Sequence, residues 1–438
     1  MTQSEIGRLL RNNGIGICVL LESRMAKSFI AAIASCLGLL MTAAFGWTLE
    51  LQPNGNYCRE INANSSGLEI VLAAGEYRGA CRIRRGGKPG SPLIIRSVDL
   101  RSKPEIKYDG QNGSVFAIDA NYVTIRGLRF GPTEGEVDAI RIFSGNYVTI
   151  EECMFDHIGG IAVVGNHASI TGTVVRRNII AESRSTAIYL GCHDGTFCIA
   201  MGSVLENNYI KGVTAQSEQI GYGIQLKLNS TGIIRDNVIV NTKGPGIMVY
   251  GSRDAAEFTM IERNFVEGSQ DSSGIVLGGG PAIVRNNIIA WNNDGGIGLE
   301  DYGNRGLLRN LAVTYNTIYK NGGGGIIARF AQSADGEVFG NAVVSRSGTP
   351  GIFSERHGFV VFGNEDCSEQ NCFVDPDQRD FTPIKTSGLV RHAETHRNTA
   401  VPADDYFRRL RGTPPVIGAI ESGGSKVVLG LKSVTIPK

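Results

Sequence analysis

Three residues of this chain have side chains and spacing that suit the removal of a proton from carbon. Lys227 closes the segment GIQLK, Tyr250 closes the related segment GIMVY, and Arg253 follows Tyr250 on the next turn. A lysine can act as a general base when partial burial and a nearby cation lower its pKa toward the working pH. A tyrosine can protonate a leaving oxygen, or act as the base if deprotonated, and an arginine can neutralise a carboxylate. We therefore assign catalytic roles in a β-elimination to Lys227, Tyr250 and Arg253.

Five further residues lie on related strands or the turns after them, and we assign these to substrate binding. They are Tyr189, His193, Gln225, Glu300 and Arg329. In a strand of pattern G-I-x-L-x the Ile and Leu point inward and both x positions point outward, so successive strands place two outward columns on one sheet. Gln225 would contact substrate hydroxyls and Arg329 would hold carboxylates. Tyr189 shares the acid or base role considered for Tyr250.

A structural interpretation of the same residues remains open. An outward column of Lys, Glu and Arg can be a ladder of solvated cross-strand pairs, which are common on exposed sheets. His193 lies between two cysteines and could only shape its loop, and Tyr250 could simply cover the sheet.

The elements that would position these residues form a repeat, clearest from Gly223 to Asn287. Each copy has a glycine, an alternating apolar strand, a turn, and a second strand with an asparagine. The leading isoleucine recurs at Ile140, Ile161, Ile188, Ile224, Ile247, Ile275, Ile297, Ile326 and Ile352. The asparagine recurs at Asn178, Asn208, Asn237, Asn264, Asn287, Asn316, Asn341 and Asn364, and Cys153 takes its place one copy earlier. The mean repeat of about 26 residues is typical of a solenoid, whose coils must stack to bury their apolar faces. Stacked asparagines would then pair amide to amide inside the turn.

These repeats, with the opening GLEIVLAAGEYRGACRIRRGGKPGSPLIIRS, resemble right-handed parallel β-helix proteins of the pectate-lyase-like superfamily, from roughly Gly67 to Glu421. The resemblance implies an all-β, right-handed parallel β-helix of about ten or more coils, with an N-terminal leader and a C-terminal cap. Many members are secreted enzymes that cleave or modify acidic polysaccharides, and their lyases use Lys or Arg bases with carboxylate-neutralising Arg or calcium. Others are adhesins or tail spikes, so the fold alone does not assign a function.

The sequence divides into a leader at 1–46, a β-helix at 47–364 and a C-terminal capping segment with a tail at 365–438. Met25 to Gly46 reads as a secretory signal, with an apolar run and small residues at the cleavage site, and Met25 could be the true start. An uncleaved anchor is the alternative. Cleavage would give a secreted or periplasmic protein without stable membrane association.

Cysteine positions agree with export. Outside the leader, six cysteines fall into three local pairs, and disulfides there would staple loops and ends. The pairs are Cys58 with Cys81, Cys192 with Cys198, and Cys367 with Cys372. Cys153 occupies a core position and is expected to be a buried free thiol. A zinc site has no support from a CxxC doublet or a nearby His pair.

Charge and composition limit the partners. Lys and Arg number 43 against 42 Asp and Glu, so no global field would attract nucleic acid, and an acidic polysaccharide must be held by a local cluster. The acidic turn at Glu134, Glu136 and Asp138 could bind Ca²⁺, but it lacks an established calcium-loop spacing and reads better as an exposed turn. No cofactor is assigned with certainty, and we expect a monomer.

The function that these residues favour is a polysaccharide lyase acting on uronic-acid polymers. A C5-epimerase would share the proton abstraction. A glycoside hydrolase would need two or three carboxylates close together, and the neighbours Glu300 and Asp301 point to opposite sides of a strand. A non-catalytic surface or carbohydrate-binding protein is the third class, although aromatic residues make up only 7% of the chain.

Overall fold

The computed structural model describes residues 48–432, except for 54, 65–66, 216–219, 253–256, 303–305, 331–333, 354–357, 370, 392–400, 422 and 424. The predicted leader with Met25, and also Arg253, lie outside the described residues. The described chain is a right-handed parallel β-helix of about 12 turns, as predicted. Three parallel sheets run along it, and each coil contributes a strand to most of them.

Within the described residues, sheet 1 has 13 strands: Thr48–Leu51, Glu69–Leu72, Leu93–Ser97, Val123–Arg126, Thr149–Glu151, Val174–Arg176, Ser203–Glu206, Gly232–Arg235, Thr259–Glu262, Ala282–Arg285, Leu311–Thr314, Gly336–Phe339 and Phe359–Phe362. Sheet 2 has 12 in this part of the chain: Glu76–Arg78, Glu105–Lys107, Arg129–Phe130, Met154–Asp156, Ile179–Ala181, Tyr209–Val213, Val238–Thr242, Phe265–Glu267, Ile288–Ala290, Thr317–Tyr319, Ala342–Val344 and Glu365–Asp366.

Sheet 3 has ten strands among the same described residues: Cys81–Ile83, Ser114–Ile118, Asp138–Ile142, Val163–Gly165, Ile188–Leu190, Ile224–Leu226, Ile247–Val249, Ile275–Leu277, Gly295–Glu300 and Gly324–Arg329. Two short pairs join Ile170–Thr171 to Ala200–Met201 and Phe373–Asp375 to Asp380–Pro383. The helical segments are Tyr57–Ala63, Pro376–Gln378 and Gly388–Arg391. No helix in the described part of the chain is long and apolar enough to cross a membrane.

The core is built from the columns of inward side chains. Ile188, Ile224, Ile247 and Ile275 lie in register on neighbouring strands of sheet 3, and each is fully buried. The prediction was wrong at Ile161, because Val163 and not Ile161 pairs with Ile140. A slip of two residues keeps the same face inward, so alternation alone could not distinguish the two registers.

The predicted asparagine ladder is confirmed in the turn between sheets 1 and 2. From Asn178 to Asn364, each Nδ2 donates to the Oδ1 of the next asparagine at 2.9 to 3.0 Å. Each Oδ1 also accepts the backbone N–H of the residue one coil earlier, as Asn178 does from Cys153 at 2.9 Å. The ladder thereby satisfies polar groups that are shut off from water.

Replacing Asn264 by alanine should destabilise the helix strongly. Its Oδ1 accepts from the N–H and the Nδ2 of Asn237, and its Nδ2 donates to the carbonyl of Ile234 at 2.9 Å. Alanine would leave these buried groups unpaired, so we expect the free energy of unfolding to fall by about 3 kcal/mol. Denaturant titration of Asn264→Ala beside Asn293→Ala, an exposed control, measures the difference. Equal midpoints for the two variants would contradict the ladder's role.

All three predicted disulfides are present: Cys58 with Cys81, Cys192 with Cys198, and Cys367 with Cys372. Cys153 is a buried free thiol, and burial raises its pKa to about 12. Disulfides of this kind are typical of proteins from oxidising compartments.

The C-terminal segment lies along the outer face of sheet 2. Phe381, Tyr406 and Ile417 pack in one cluster with Val238 and Phe265, which point outward from that sheet. Ion pairs add to the contact, because Arg379 binds Glu267 at 2.7 Å. The sequence predicts a capping segment here. Its described part also covers several earlier coils, because the outward side chains of sheet 2 are apolar.

Attachment of the C-terminal tail, residues 425–432, to the rest of the protein should strengthen as the pH rises above 7. Lys432 Nζ lies 3.7 Å from the ring centroid of Tyr406 and 4.0 Å from Asp236. Burial lowers the pKa of this ammonium from 10.5 to about 7, although Asp236 acts in the opposite direction. Between those values the detached tail binds a proton that the attached tail does not, so rising pH favours attachment by up to roughly tenfold per pH unit.

Hydrogen exchange of residues 425–432, corrected for the intrinsic pH effect, measures this attachment. Protection should rise from pH 7 to pH 9 in the unmodified protein and in Lys426→Met, whose lysine is exposed. In Lys432→Met, the protection of these residues should not change between pH 7 and pH 9. The same rise in Lys432→Met would show that another group is responsible.

Candidate functional site

The site lies on the outer side of sheet 3, where three neighbouring strands are aligned. Tyr189, Gln225 and Met248 face one another across the strands Ile188–Leu190, Ile224–Leu226 and Ile247–Val249. Lys227 and Tyr250 each follow directly after their strand. The common register therefore brings the outward residues of successive coils to within a strand spacing of about 4.8 Å.

Lys227 is the centre of a compact cluster. Only 3% of the residue is exposed, and its Nζ lies 4.4 Å from the ring centroid of Tyr250 and 5.1 Å from that of Tyr189. The same nitrogen lies 3.3 Å from His193 Nδ1. Aromatic faces attract a lysine ammonium, so the two rings hold the Lys227 side chain in one position. Four residues singled out from the sequence thus come together.

The loop that carries His193 is fixed by its surroundings. The disulfide between Cys192 and Cys198 closes it, and the Cys192 N–H donates to the Cys198 carbonyl at 3.0 Å. Gly195 packs so tightly against Leu228 that a Cβ would lie 2.8 Å from the Leu228 carbonyl oxygen. The loop is therefore seated on the turn next to Lys227.

Tyrosine hydroxyls around Lys227 are desolvated. Burial raises the pKa of Tyr189 to about 12, with a smaller contribution from Tyr250. Tyr222 was not predicted, and its hydroxyl lies 3.4 Å from that of Tyr250. Burial raises the pKa of Tyr222 as well. Tyr189 and Tyr222 therefore stay protonated at neutral pH, which suits a proton donor and not a base.

Gln225 is buried without a hydrogen bond. The residue is 1% exposed, and among the described residues neither its Oε1 nor its Nε2 has a partner. An unpaired buried amide costs about 1–3 kcal/mol per group, so such groups are rare in folded proteins. The donor and acceptor capacity of this amide is therefore unused by the described residues.

Glu300 and Arg329 lie in register further along the same sheet. Arg329 donates to both oxygens of Asp294 at 2.6 Å and to Glu300 Oε1 at 3.4 Å. The guanidinium predicted to hold substrate carboxylates is therefore engaged by carboxylates of the chain itself. This pair matches the solvated cross-strand alternative, whereas Lys227 is buried. Asp294 gave no sequence signal, because it lies in the turn before its strand.

Tyr302 connects the two halves of the site. Its hydroxyl donates to Glu300 Oε2 at 2.9 Å, and its ring centroid lies 5.7 Å from that of Tyr250. Sequence reasoning missed this residue, although it follows Glu300 by two positions and so continues the outward alternation. A contiguous chain of contacts thus runs from Lys227 through Tyr250 and Tyr302 to Glu300.

The acidic turn considered for calcium is arranged differently. Asp138 pairs with Arg141, and its Oδ1 accepts the N–H of Ile161 at 2.8 Å. In the parts of the chain that the structure describes, no group of three or more His, Cys, Asp and Glu side chains could hold a metal ion. The Asp138 carboxylate is thus directed at Arg141 and the backbone.

Comparison with known proteins agrees on the fold. A family model described as a right handed beta helix region matches residues 195–374. A comparison with curated proteins found no significant match.

Three solved structures illustrate the likeness. XylC in complex with xylose has a TM-score of 0.59 and 10% identity, over 87% of this chain and 100% of that one. A mutant of the PL6 family alginate lyase AlyGC has a TM-score of 0.51 and 12% identity, over 87% of this chain and 60% of that one. The A-module of the Azotobacter vinelandii mannuronan C-5 epimerase AlgE4 has a TM-score of 0.50 and 13% identity, over 74% of this chain and 93% of that one. At such identities the likeness shows the fold alone.

Proposed function

Because the chain is a right-handed parallel β-helix protein with the pectate-lyase-like fold, we propose that it is a polysaccharide lyase acting on a uronic-acid polymer. The observation that carries this proposal is the Lys227 cluster. A buried lysine nitrogen lies beside two tyrosine rings and an imidazole, and the amide of Gln225 has no hydrogen-bond partner among the described residues. This set offers a base, proton donors and a hydroxyl-binding group on one face. An alginate lyase and a uronan epimerase share the scaffold, which supports an acidic polysaccharide as substrate.

The reaction needs two proton transfers. Neutral Lys227 Nζ takes the C5 proton of a uronate, the C5–H electron pair forms the C4–C5 double bond, and the bond from C4 to the glycosidic oxygen breaks. Tyr250 or Tyr189 gives a proton to that oxygen. The products are an unsaturated uronate and a new reducing end. Arg253 is proposed to neutralise the uronate carboxylate, which makes the C5 proton acidic enough to leave.

The location follows from the same proposal. Three disulfides fit an oxidising compartment, and we propose that the protein is secreted or periplasmic and works on polymer outside the cell.

Incubation with pectate, alginate and glycosaminoglycans, with and without calcium, tests the activity. Ultraviolet absorbance of the unsaturated uronate should rise on at least one polymer. If absorbance stays flat on every polymer under both conditions, the elimination is refuted.

A glycoside hydrolase is the second candidate, and one observation favours it. Asp294 and Glu300 both accept from the same nitrogen of Arg329, at 2.6 and 3.4 Å, so their carboxylates lie within about 6 Å of each other. This is the carboxylate partner that the sequence did not reveal for Glu300. Reducing ends formed without absorbance, and lost in Glu300→Gln, would establish hydrolysis.

A C5-epimerase would use the same base. It would return a proton to the opposite face of C5 without breaking the polymer. Deuterium incorporated at C5 in heavy water, with chain length unchanged, would identify it.

A further inference from the structure

Two tyrosine hydroxyls meet on the outer side of sheet 3. Tyr222 lies just before the strand Ile224–Leu226, and Tyr250 directly follows the neighbouring strand Ile247–Val249. Their hydroxyl oxygens lie 3.4 Å apart, and either hydroxyl can donate to the other. Tyr222 is 8% exposed and Tyr250 is 4% exposed, so water is largely excluded from this contact. A hydroxyl in such a site interacts strongly with any charge that develops on its neighbour.

The backbone around Tyr222 is fixed on both sides. A Cβ on Gly221 would lie 2.4 Å from the carbonyl oxygen of Thr214. A Cβ on Gly223 would lie 2.4 Å from the carbonyl oxygen of Gly246. Because both glycines pack directly against backbone, the position of the Tyr222 side chain is set before any substrate binds. A donor that is already in place costs no reorganisation at the moment of reaction.

The tyrosine that protonates the leaving oxygen must afterwards hold a negative charge. Lys227 Nζ lies 4.4 Å from the ring centroid of Tyr250 but 5.1 Å from that of Tyr189, and it is positive once it has taken the C5 proton. Burial raises the pKa of Tyr222, so its hydroxyl keeps its proton and can donate a hydrogen bond to the Tyr250 oxygen. Hydrogen bonds to a charged oxygen are shorter and about twice as strong as neutral ones, so the 3.4 Å contact should tighten as charge develops.

We propose that Tyr250 protonates the leaving oxygen and that Tyr222 is a positioning residue, whose hydroxyl stabilises the resulting Tyr250 phenolate. The Tyr250 proton goes to the glycosidic oxygen as its bond to C4 breaks, and Tyr222 keeps its own proton. The proton that Lys227 took from C5 then passes to the phenolate, which restores both residues without a further reactant. This inference rests on the proposed lyase function, and it selects Tyr250 over Tyr189 as the acid.

Tyr222→Phe tests the hydroxyl, because the ring is retained. On the polymer that the unmodified protein cleaves, kcat should fall about 100-fold and KM should change little, as expected for the loss of one donor to a developing charge. Tyr147→Phe is the matched control, since Tyr147 is 48% exposed, and it should leave the rate unchanged. Denaturant titration of both variants checks that each is folded.

Double variants distinguish a bond to Tyr250 from a general effect on packing. Added to Tyr250→Phe, the change Tyr222→Phe should lower kcat by less than about 3-fold, because the acceptor oxygen is already gone. Added to Tyr189→Phe, it should still lower kcat about 100-fold. Equal losses on adding Tyr222→Phe to the unmodified protein and to Tyr250→Phe would overturn the inference.

The same measurements separate this inference from the proposed function. Unsaturated uronate that depends on Lys227, but forms at an unchanged rate in Tyr222→Phe, would overturn the role of Tyr222 and leave the lyase intact. A large loss in Tyr189→Phe with none in Tyr250→Phe would assign the acid to Tyr189 and also overturn the inference. No unsaturated uronate from the unmodified protein on any polymer would refute the lyase and the inference with it.

Discussion

Replacing Lys227 by methionine should lower kcat about a thousandfold while KM changes little. Methionine fills the space between Tyr189 and Tyr250, so the packing of the cluster is retained, but it cannot accept a proton. General bases typically contribute about 10²–10⁴ to the rate. Steady-state rates of unsaturated uronate formation measure the loss.

A control variant and a chemical rescue accompany this experiment. Lys211→Met removes an exposed lysine of sheet 2 and should leave the rate unchanged. Lys227→Ala with added ethylamine should recover part of the activity, because a small amine can enter the space and act as the base. A Lys227→Met variant that folds normally and keeps more than a third of the activity would show that Lys227 is only a packing residue.

Gln225→Met should stabilise the protein and impair substrate binding at the same time. The side chains are similar in size, and the change removes a buried amide whose two polar atoms have no partner among the described residues. We expect the free energy of unfolding to rise by about 1–3 kcal/mol. KM should rise about tenfold, since a hydrogen-bonding group that we propose to contact substrate hydroxyls is lost.

The opposite signs of the two effects separate a substrate-binding role from a structural one. Denaturant titration and kinetics on the same preparations give both values. Gln270→Met, a change at an exposed glutamine, should alter neither. If Gln225→Met instead lowers stability, the amide supports the fold and its assignment to substrate is wrong.

The fold could be predicted because its signals are periodic. Stacked coils repeat the same inward residue at the same place, and the asparagine ladder needs one side chain per coil. Alternation fixes which face a residue occupies, but a slip by two residues preserves that face, and so Ile161 was assigned the position of Val163. The position of the C-terminal segment had a weaker signal, namely the apolar outward residues Val238 and Phe265 of sheet 2.

The site could be predicted only in outline. Alternation placed Tyr189, Gln225 and Lys227 on one outer face, and the structure brings them together. The almost complete burial of Gln225 and Lys227 was not foreseen, because it is set by contacts between coils, among which the sequence did not reveal Tyr222 beside Tyr250. Such contacts come from turns, which carry no periodic pattern.

A contact with a turn residue also explains why Arg329 is engaged within the protein. Its partner Asp294 precedes the strand Gly295–Glu300 and meets the arginine from the neighbouring coil. Outward columns read from strands alone cannot include such a residue. A substrate carboxylate would therefore have to compete for Arg329 with its two hydrogen bonds to Asp294.

Mass spectrometry of the products tests the central claim most directly. Elimination adds no water, so every oligosaccharide released by the unmodified protein from a uronic-acid polymer, except the one that keeps the original non-reducing end, should be lighter by the mass of one water than the hydrolysis product of the same length. They should carry an unsaturated uronate at the non-reducing end, and Lys227→Met should release none. Fragments that all contain the added water would contradict the account and identify the reaction as hydrolysis.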